Sequence, residues 1–173
     1  MSAISNLRSR LSLTGALTVA GFLQFVSPSF AVTTTTTTFT AQISIVASCT
    51  INSAGTLNFS SNQGVLIANV DQTSTISVQC TSGTGYNIGL DAGIGTGATV
   101  AVRKMTFSGS TINYSLYTDA GHTTVWGNTI STDTVAATGN GAPQSYTVFG
   151  RVPPQTTPAI GTYTDTVTVT VTY

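Results

Sequence analysis

Residues 39–51 read F-T-A-Q-I-S-I-V-A-S-C-T-I, and an apolar side chain falls on every second position from Phe39 to Ile51. The last ten residues, 164–173, read T-D-T-V-T-V-T-V-T-Y and alternate valine with threonine. A period of two is typical of a β-strand that buries one face, because successive side chains point to opposite sides of a strand. Both stretches therefore predict strands, and 39–51 is the longest uninterrupted one.

Shorter segments of the same kind fill the chain between these two stretches. They predict strands over 57–59, 65–70, 76–80, 86–90, 105–107, 112–117, 125–126 and 146–152. Ser108-Gly109 suits a tight turn, 132–145 a surface loop, and the proline-rich segment 153–158 a stiff corner. The chain has 35 threonines and no segment with the 3.6-residue period of a helix. The fold class is therefore all-β, an antiparallel sandwich or barrel.

Charged side chains are scarce, which narrows the classes of function. The chain carries five Lys and Arg, five Asp, no Glu and one His, so 6% of its residues are charged against roughly 25% in an ordinary protein. A nucleic-acid binder would need a basic surface. Asp119 precedes His122 by three residues, but the sequence D-A-G-H is more typical of a turn than of a catalytic pair. We expect no enzyme, no metal site and no cofactor.

The N-terminal region has the organisation of an export signal. Arg8 and Arg10 form a short basic region, residues 11–26 are uncharged, and Ser29-Phe30-Ala31 offers small residues at a cleavage site. Residues 1–31 are therefore predicted to be a Sec-type signal peptide, and the protein is predicted to be exported through the periplasm. A retained N-terminal anchor is the alternative, although 16 apolar residues are short for a span of about 20.

Two cysteines, Cys49 and Cys80, remain after the predicted signal. In an oxidising compartment a single disulfide between them is the natural expectation, and two buried thiols are the alternative. Two thiols with one distant histidine make a poor metal site.

Several segments resemble the spore coat protein U domain family, whose members include subunits of archaic chaperone-usher pili. The resemblance is carried by six segments. They are Phe39 to Ile51 with its S-C-T, G-T-L-N-F at 55–59, I-S-V-Q-C at 76–80, Y-S-L-Y-T-D-A-G-H-T-T-V-W-G at 114–127, F-G-R-V-P-P at 149–154, and G-T-Y-T-D-T-V-T-V-T-V-T-Y at 161–173. The threonine tract 33–38 departs from what we expect of the family.

The resemblance implies an immunoglobulin-like antiparallel β-sandwich that lacks its final strand and is completed by a donor strand. Pilus-type members are held by a periplasmic chaperone, delivered to an outer-membrane usher, and polymerised by donor-strand complementation between subunits. Residues 32–47 would form the N-terminal arm and 48–173 the sandwich domain. The expected donor residues are Phe39, Ala41, Ile43 and Ile45. The expected acceptor edge is Val167, Val169, Val171 and Tyr173.

Three functions remain open at this point. The first is a structural pilus subunit, whose partners are related subunits, a chaperone and an usher, and which ends on the cell surface or in an extracellular fibre. The second is a self-contained secreted spore-coat or surface-layer protein, in which 39–45 pairs within its own chain. The third is a sugar-binding tip adhesin that uses loops around Trp126, although a lone tryptophan beside Val125 is more often part of a core.

Overall fold

A computed structural model of the protein describes residues 28–60 and 64–173, and all structural statements below concern these ranges. Most of the predicted signal peptide, residues 1–27, lies outside them. The described residues divide into two units, 28–42 and 43–173. In the first unit, residues 28–42 have no regular secondary structure and are exposed. The described residues contain no helix long and apolar enough to span a membrane.

The second unit is a sandwich of two antiparallel sheets. Its strands are β1 (Cys49–Ala54), β2 (Val70–Cys80), β3 (Gly85–Leu90), β4 (Arg103–Phe107), β5 (Ser110–Tyr117), β6 (Val135–Thr138), β7 (Gln144–Val152) and β8 (Val169–Thr172). Five strands form one sheet in the order β1-β2-β7-β5-β4, and three form the other in the order β6-β3-β8. All six strand pairings are antiparallel.

The two ends of the sandwich are defined by the register of the strands. Cys80 lies opposite Cys49 at one end of β2, and Val70 lies opposite Val152 at the other. We call these the Cys80 end and the Val70 end. A short loop joins Cys80 to β3, so the start of β3 lies at the Cys80 end. β8 pairs Val169 with Leu90 and Thr172 with Asn87, so it runs toward the Cys80 end.

The core lies between the sheets and is built from the inward positions of the alternating strands. In β2 the buried positions are Ile76, Val78 and Cys80, which alternate with half-buried or exposed polar residues. The buried hydrophobic residues of the described ranges are Leu66, Ile76, Val78, Cys80, Tyr86, Ile88, Leu90, Tyr114, Leu116, Trp126, Val148 and Val152. The period-two pattern therefore predicted the inward faces of these strands correctly.

The β4–β5 hairpin confirms the predicted turn at Ser108-Gly109. Both residues have positive φ, 47° and 81°. Two consecutive left-handed residues form the type I′ turn that matches the twist of a two-residue hairpin, and glycine adopts that conformation without steric cost.

The longest predicted strand, 39–51, is wrong over most of its length. Residues 28–48 lie outside the strands, and β1 begins only at Cys49. Alternation records a preference of side chains, whereas a strand also requires a hydrogen-bonding neighbour. β1 has that neighbour in β2.

Other differences have similar physical reasons. Segments 57–59 and 65–69 are not strands, although Leu57 and Phe59 pack over Gly150, where a Cβ would overlap Leu57. The predicted strand 125–126 is reduced to one bridge between Val125 and Tyr117. The predicted loop 132–145 contains β6 and the first residues of β7. The sequence of β6 shows no clear alternation and therefore predicts no strand. The strand forms because it pairs with β3.

Candidate functional site

A groove of about 1100 Å³ enters the sandwich beside β8. It is lined from both sheets, so it exposes the space that a closed sandwich would fill with core side chains. Its apolar lining includes Leu57, Phe59, Leu66, Val70, Ile76, Leu90, Met105, Ile112, Leu116, Val148, Val152, Val167 and Val169.

The groove is open because the smaller sheet stops at β8. Within the described residues β8 is hydrogen-bonded to β3, and no strand is hydrogen-bonded to its other edge. Segment 55–60, which follows β1, also lines the groove and is not part of a strand. One more strand along β8 would extend the three-stranded sheet and cover the apolar lining.

Two polar side chains in the groove, Tyr114 and Asp165, are hydrogen-bonded to each other. The Tyr114 hydroxyl donates to Asp165 Oδ2 at 2.8 Å, while the backbone N–H groups of Ile94 and Thr166 donate to Asp165 Oδ1. Burial raises the pKa of the Tyr114 phenol far above its ordinary value, and the bond to Asp165 raises it further. Tyr114 therefore remains a neutral hydrogen-bond donor to Asp165.

The residues predicted to form the donor strand are exposed. Phe39 is 91% exposed, Ile43 83% and Ile45 72%, and Ala41 is exposed as well. Large apolar side chains that remain exposed at alternate positions are typical of a segment that binds another surface.

The arm joins the sandwich at the Cys80 end. A disulfide links Cys49 to Cys80, as the sequence predicted, with the two Cα atoms 4.1 Å apart. The backbone N–H of Thr81 donates to the Ser48 carbonyl at 2.9 Å, and the Thr81 hydroxyl donates to the Val46 carbonyl at 3.1 Å. The chain is therefore fixed from Val46 onward.

The predicted acceptor edge is placed in two parts. Val167 and Val169 line the groove, whereas Val171 packs on the core and Tyr173 is 60% exposed. Sequence reasoning missed the other lining residues, such as Leu57, Phe59 and Met105. The alternation of Ile112, Tyr114 and Leu116 shows that they face inward, but nothing in it shows that the space they face is open.

The other candidate residues from the sequence, Asp119, His122 and Trp126, have structural roles in the fold. The Asp119 carboxylate accepts hydrogen bonds from the backbone N–H groups of Thr123 and Thr124, and the His122 N–H donates to the Asp119 carbonyl, which describes a turn. Trp126 is 1% exposed and donates from Nε1 to the Ile88 carbonyl at 2.8 Å, so it belongs to the core. In ranges 28–60 and 64–173 no three His, Cys, Asp or Glu side chains are grouped as metal ligands.

An all-β sandwich with one open edge and an exposed apolar arm defines a class of immunoglobulin-like domains with an incomplete sheet. The family model of the Spore Coat Protein U domain matches residues 35–170, and the chain belongs to this family. The family and fold predicted from the sequence are thus confirmed.

The chain is similar to a known protein in sequence and to a solved structure in fold. Protein U of Myxococcus xanthus is 34% identical to this chain in an alignment that covers 91% of this chain and 95% of that protein. A solved structure with a similar fold comes from the CsuC-CsuE chaperone-tip adhesion subunit pre-assembly complex of archaic chaperone-usher Csu pili of Acinetobacter baumannii, with a TM-score of 0.55. That match has 22% identity and covers 75% of this chain but only 40% of the solved one, so it shows the shared fold.

Proposed function

We propose that this protein is a structural, non-enzymatic subunit of a surface pilus, polymerised by donor-strand complementation through the chaperone-usher pathway. The observation that carries the proposal is that one chain has both an open apolar groove and an exposed apolar arm. The groove beside β8 lacks an apolar strand, and the arm is an exposed segment with alternating apolar side chains that has no partner sheet. Strand addition would satisfy the backbone groups of both and bury the donor side chains.

The polarity of the chain favours an arm from a second subunit. The arm joins its own sandwich at the Cys80 end, toward which β8 also runs. An arm folded back into its own groove would therefore lie parallel to β8. It would also have to reverse direction immediately before Val46, whose carbonyl is held by Thr81. An arm from another subunit can enter antiparallel, which is the pairing found throughout both sheets and slightly the more stable one.

The accessory partners follow from the same groove. An open apolar groove on an exported monomer is an aggregation hazard, which a periplasmic chaperone would cover until an usher brings two subunits together. The solved structure of similar fold was crystallised in a chaperone-subunit complex of an archaic pilus, which supports these partners for the present protein.

A secreted coat protein is the second candidate, because the chain is 34% identical to Protein U over nearly its whole length. In that case the same domain would form a surface layer rather than a fibre. A sugar-binding tip adhesin has less support, because Trp126 is buried and offers no exposed stacking face.

A charge in the arm tests the proposal. Ile43→Asp places a carboxylate where the donor strand would enter an apolar groove, at a cost of several kcal/mol. We expect the exported subunit to keep its normal level and its disulfide while surface polymer is lost. Ser44→Asp is the matched control, because its side chain points to the other face of the same strand, and we expect it to polymerise. Gel ladders of surface fractions and immunoblots of exported monomer measure the two quantities.

The outcome that contradicts the proposal is equally specific. If 39–45 were a strand of its own sandwich, Ile43→Asp would destabilise the monomer, and both monomer and polymer would disappear. Normal polymer in the Ile43→Asp variant would remove the arm from the assembly mechanism altogether.

A further inference from the structure

The arm has no free linker between its last donor residue and the sandwich. Ile45 is the last predicted donor side chain, and the carbonyl of the next residue, Val46, already accepts a hydrogen bond from Thr81. Three residues further on, Cys49 is joined to Cys80 by the disulfide. Since a strand advances only about 3.3 Å per residue, a donor strand inserted as far as Ile45 brings its own sandwich into contact with the acceptor.

The end of the acceptor that is contacted follows from strand polarity. β8 runs from the Val70 end toward the Cys80 end, so an antiparallel donor runs the opposite way and has Ile45 at the Val70 end. The groove extends to that end, where Leu66, Thr157 and Ile160 line it. At the Cys80 end the acceptor's own arm joins its sandwich, so a second sandwich at that end would compete with this arm for space.

The Val70 end carries exposed apolar side chains on an ordered segment. Val65 is 73% exposed, Ile67 81% and Ile160 99%. Between the first two, Leu66 is buried, its N–H donates to the Thr157 hydroxyl at 2.8 Å, and its carbonyl accepts from the Gln155 N–H at 3.0 Å. Large apolar side chains held outward by an anchored backbone are typical of a protein interface.

We propose that Val65, Ile67 and Ile160 form a docking surface for the sandwich of a second copy of this chain, at the Val70 end of the donor-strand groove, whose lining includes Val65 and Ile160 but not Ile67. The second copy covers this surface with the loops at its own Cys80 end, residues 81–84 and 139–143. These loops are tied together, because the Gly83 N–H donates to the Gly139 carbonyl at 2.9 Å and the Gly141 N–H donates to the Cys80 carbonyl at 3.1 Å. The inference rests on the proposed function and adds a body-to-body contact that sets the angle between neighbouring subunits.

Cross-linking in the assembled fibre tests this contact. A full-length chain with Ile67→Cys and Asn140→Cys places one new thiol on each proposed surface, and both positions are exposed. We expect a ladder that resists boiling in detergent and collapses to monomer on reduction. The control chain carries Ile130→Cys with Asn140→Cys, because Ile130 is also exposed but precedes β6, at the opposite edge of its sheet from β8. This control should yield fibres without the covalent ladder.

The outcomes separate this contact from the proposed function. Fibres that assemble without the Ile67–Asn140 cross-link, or that cross-link equally in the control, would overturn the docking surface and leave donor-strand exchange in place. If the unaltered exported chain forms no polymer, the proposed function fails and the docking surface fails with it.

A charge substitution gives a second, independent measurement. Ile67→Asp would leave the monomer intact, because the side chain is exposed in it, but would bury a carboxylate against the neighbour. We expect the ratio of polymer to monomer in heated detergent to fall roughly tenfold. The variant loses the burial of one aliphatic side chain in the contact, and that burial changes an association constant by about a factor of ten. Ile130→Asp should leave the ratio unchanged, and equal ratios for the two variants would overturn the proposal.

Discussion

At the scale of single residues, Arg103 shows how a buried charge organises loops. Its side chain is fully buried, and its guanidinium donates to the backbone carbonyls of four residues. They are Leu90, Asp91, Val100 and Trp126, at distances of 2.7 to 2.9 Å. Burial lowers the pKa of the guanidinium, and the nearby Asp91 carboxylate opposes that effect. One side chain thus ties the end of β3 to the start of β4 and to the Trp126 segment.

Replacing Arg103 with methionine should destabilise the sandwich severely. Arg103→Met keeps most of the volume but leaves four carbonyls without their donor, and each buried unsatisfied group costs about 1–3 kcal/mol. We expect a loss of roughly 3 kcal/mol or more in the free energy of unfolding, measured by urea denaturation. Lys104→Met is the control, since Lys104 makes a single 3.3 Å bond to the Thr96 carbonyl, and it should change stability by less than about 0.5 kcal/mol. Equal effects would contradict this role of Arg103.

The turn at Asp119 predicts a pH dependence. Hydrogen bonds from the backbone N–H groups of Thr124 and then Thr123 hold the pKa of the Asp119 carboxyl below its ordinary value of 3.8. A lowered pKa stabilises the turn above that ordinary value, and this contribution is lost as the pH falls through the lower, folded-state pKa. Titration of the carboxyl carbon by NMR should give a midpoint below 3.8, and a midpoint at or above it would contradict the hydrogen-bonded turn.

At the scale of elements, the arm and β8 are complementary halves of one missing strand pair. Both carry a period-two pattern, yet β8 has a partner on one side in β3, and residues 39–45 are exposed and outside any strand. Three large side chains of the arm, Phe39, Ile43 and Ile45, would each contribute about 1.5–3 kcal/mol if fully buried. Together they approach the stability of a whole small domain.

A peptide with the sequence of residues 38–46 should therefore stabilise a subunit whose own arm is disabled. Added to the Ile43→Asp subunit at about 100 times its dissociation constant, it should raise the free energy of unfolding by about 2.7 kcal/mol. The measurement is a thermal unfolding curve at increasing peptide concentration. The same peptide with aspartate at position 43 is the control, and equal shifts for both peptides would show that the groove does not select apolar side chains.

At the scale of the whole molecule, the asymmetry of five strands against three leaves the core open on one side. An ordinary sandwich closes its core within one chain, and here the apolar lining of the groove remains accessible beside β8. The disulfide between Cys49 and Cys80 fixes the point from which the arm leaves. If the arm of a neighbouring subunit fills the groove, the stability of each sandwich would depend on its neighbour.

The sequence by itself determined the all-β class, the inward faces of β2, β3, β5 and β7, the turn at Ser108-Gly109 and the pairing of the two cysteines. The fold class, the inward faces and the turn follow from local preferences, because side-chain alternation and turn chemistry act over a few residues. The cysteine pairing follows instead from the presence of just two cysteines in a chain predicted to reach an oxidising compartment. Only the tertiary structure decided where β1 begins, that β6 is a strand, and which apolar residues line an open groove. Those features depend on whether a neighbouring strand is present, and Leu57, Met105 and Val148 come from segments distant in sequence. Residues 39–45 mark the limit of the sequence, since their pattern predicts a strand but cannot say whose sheet it joins.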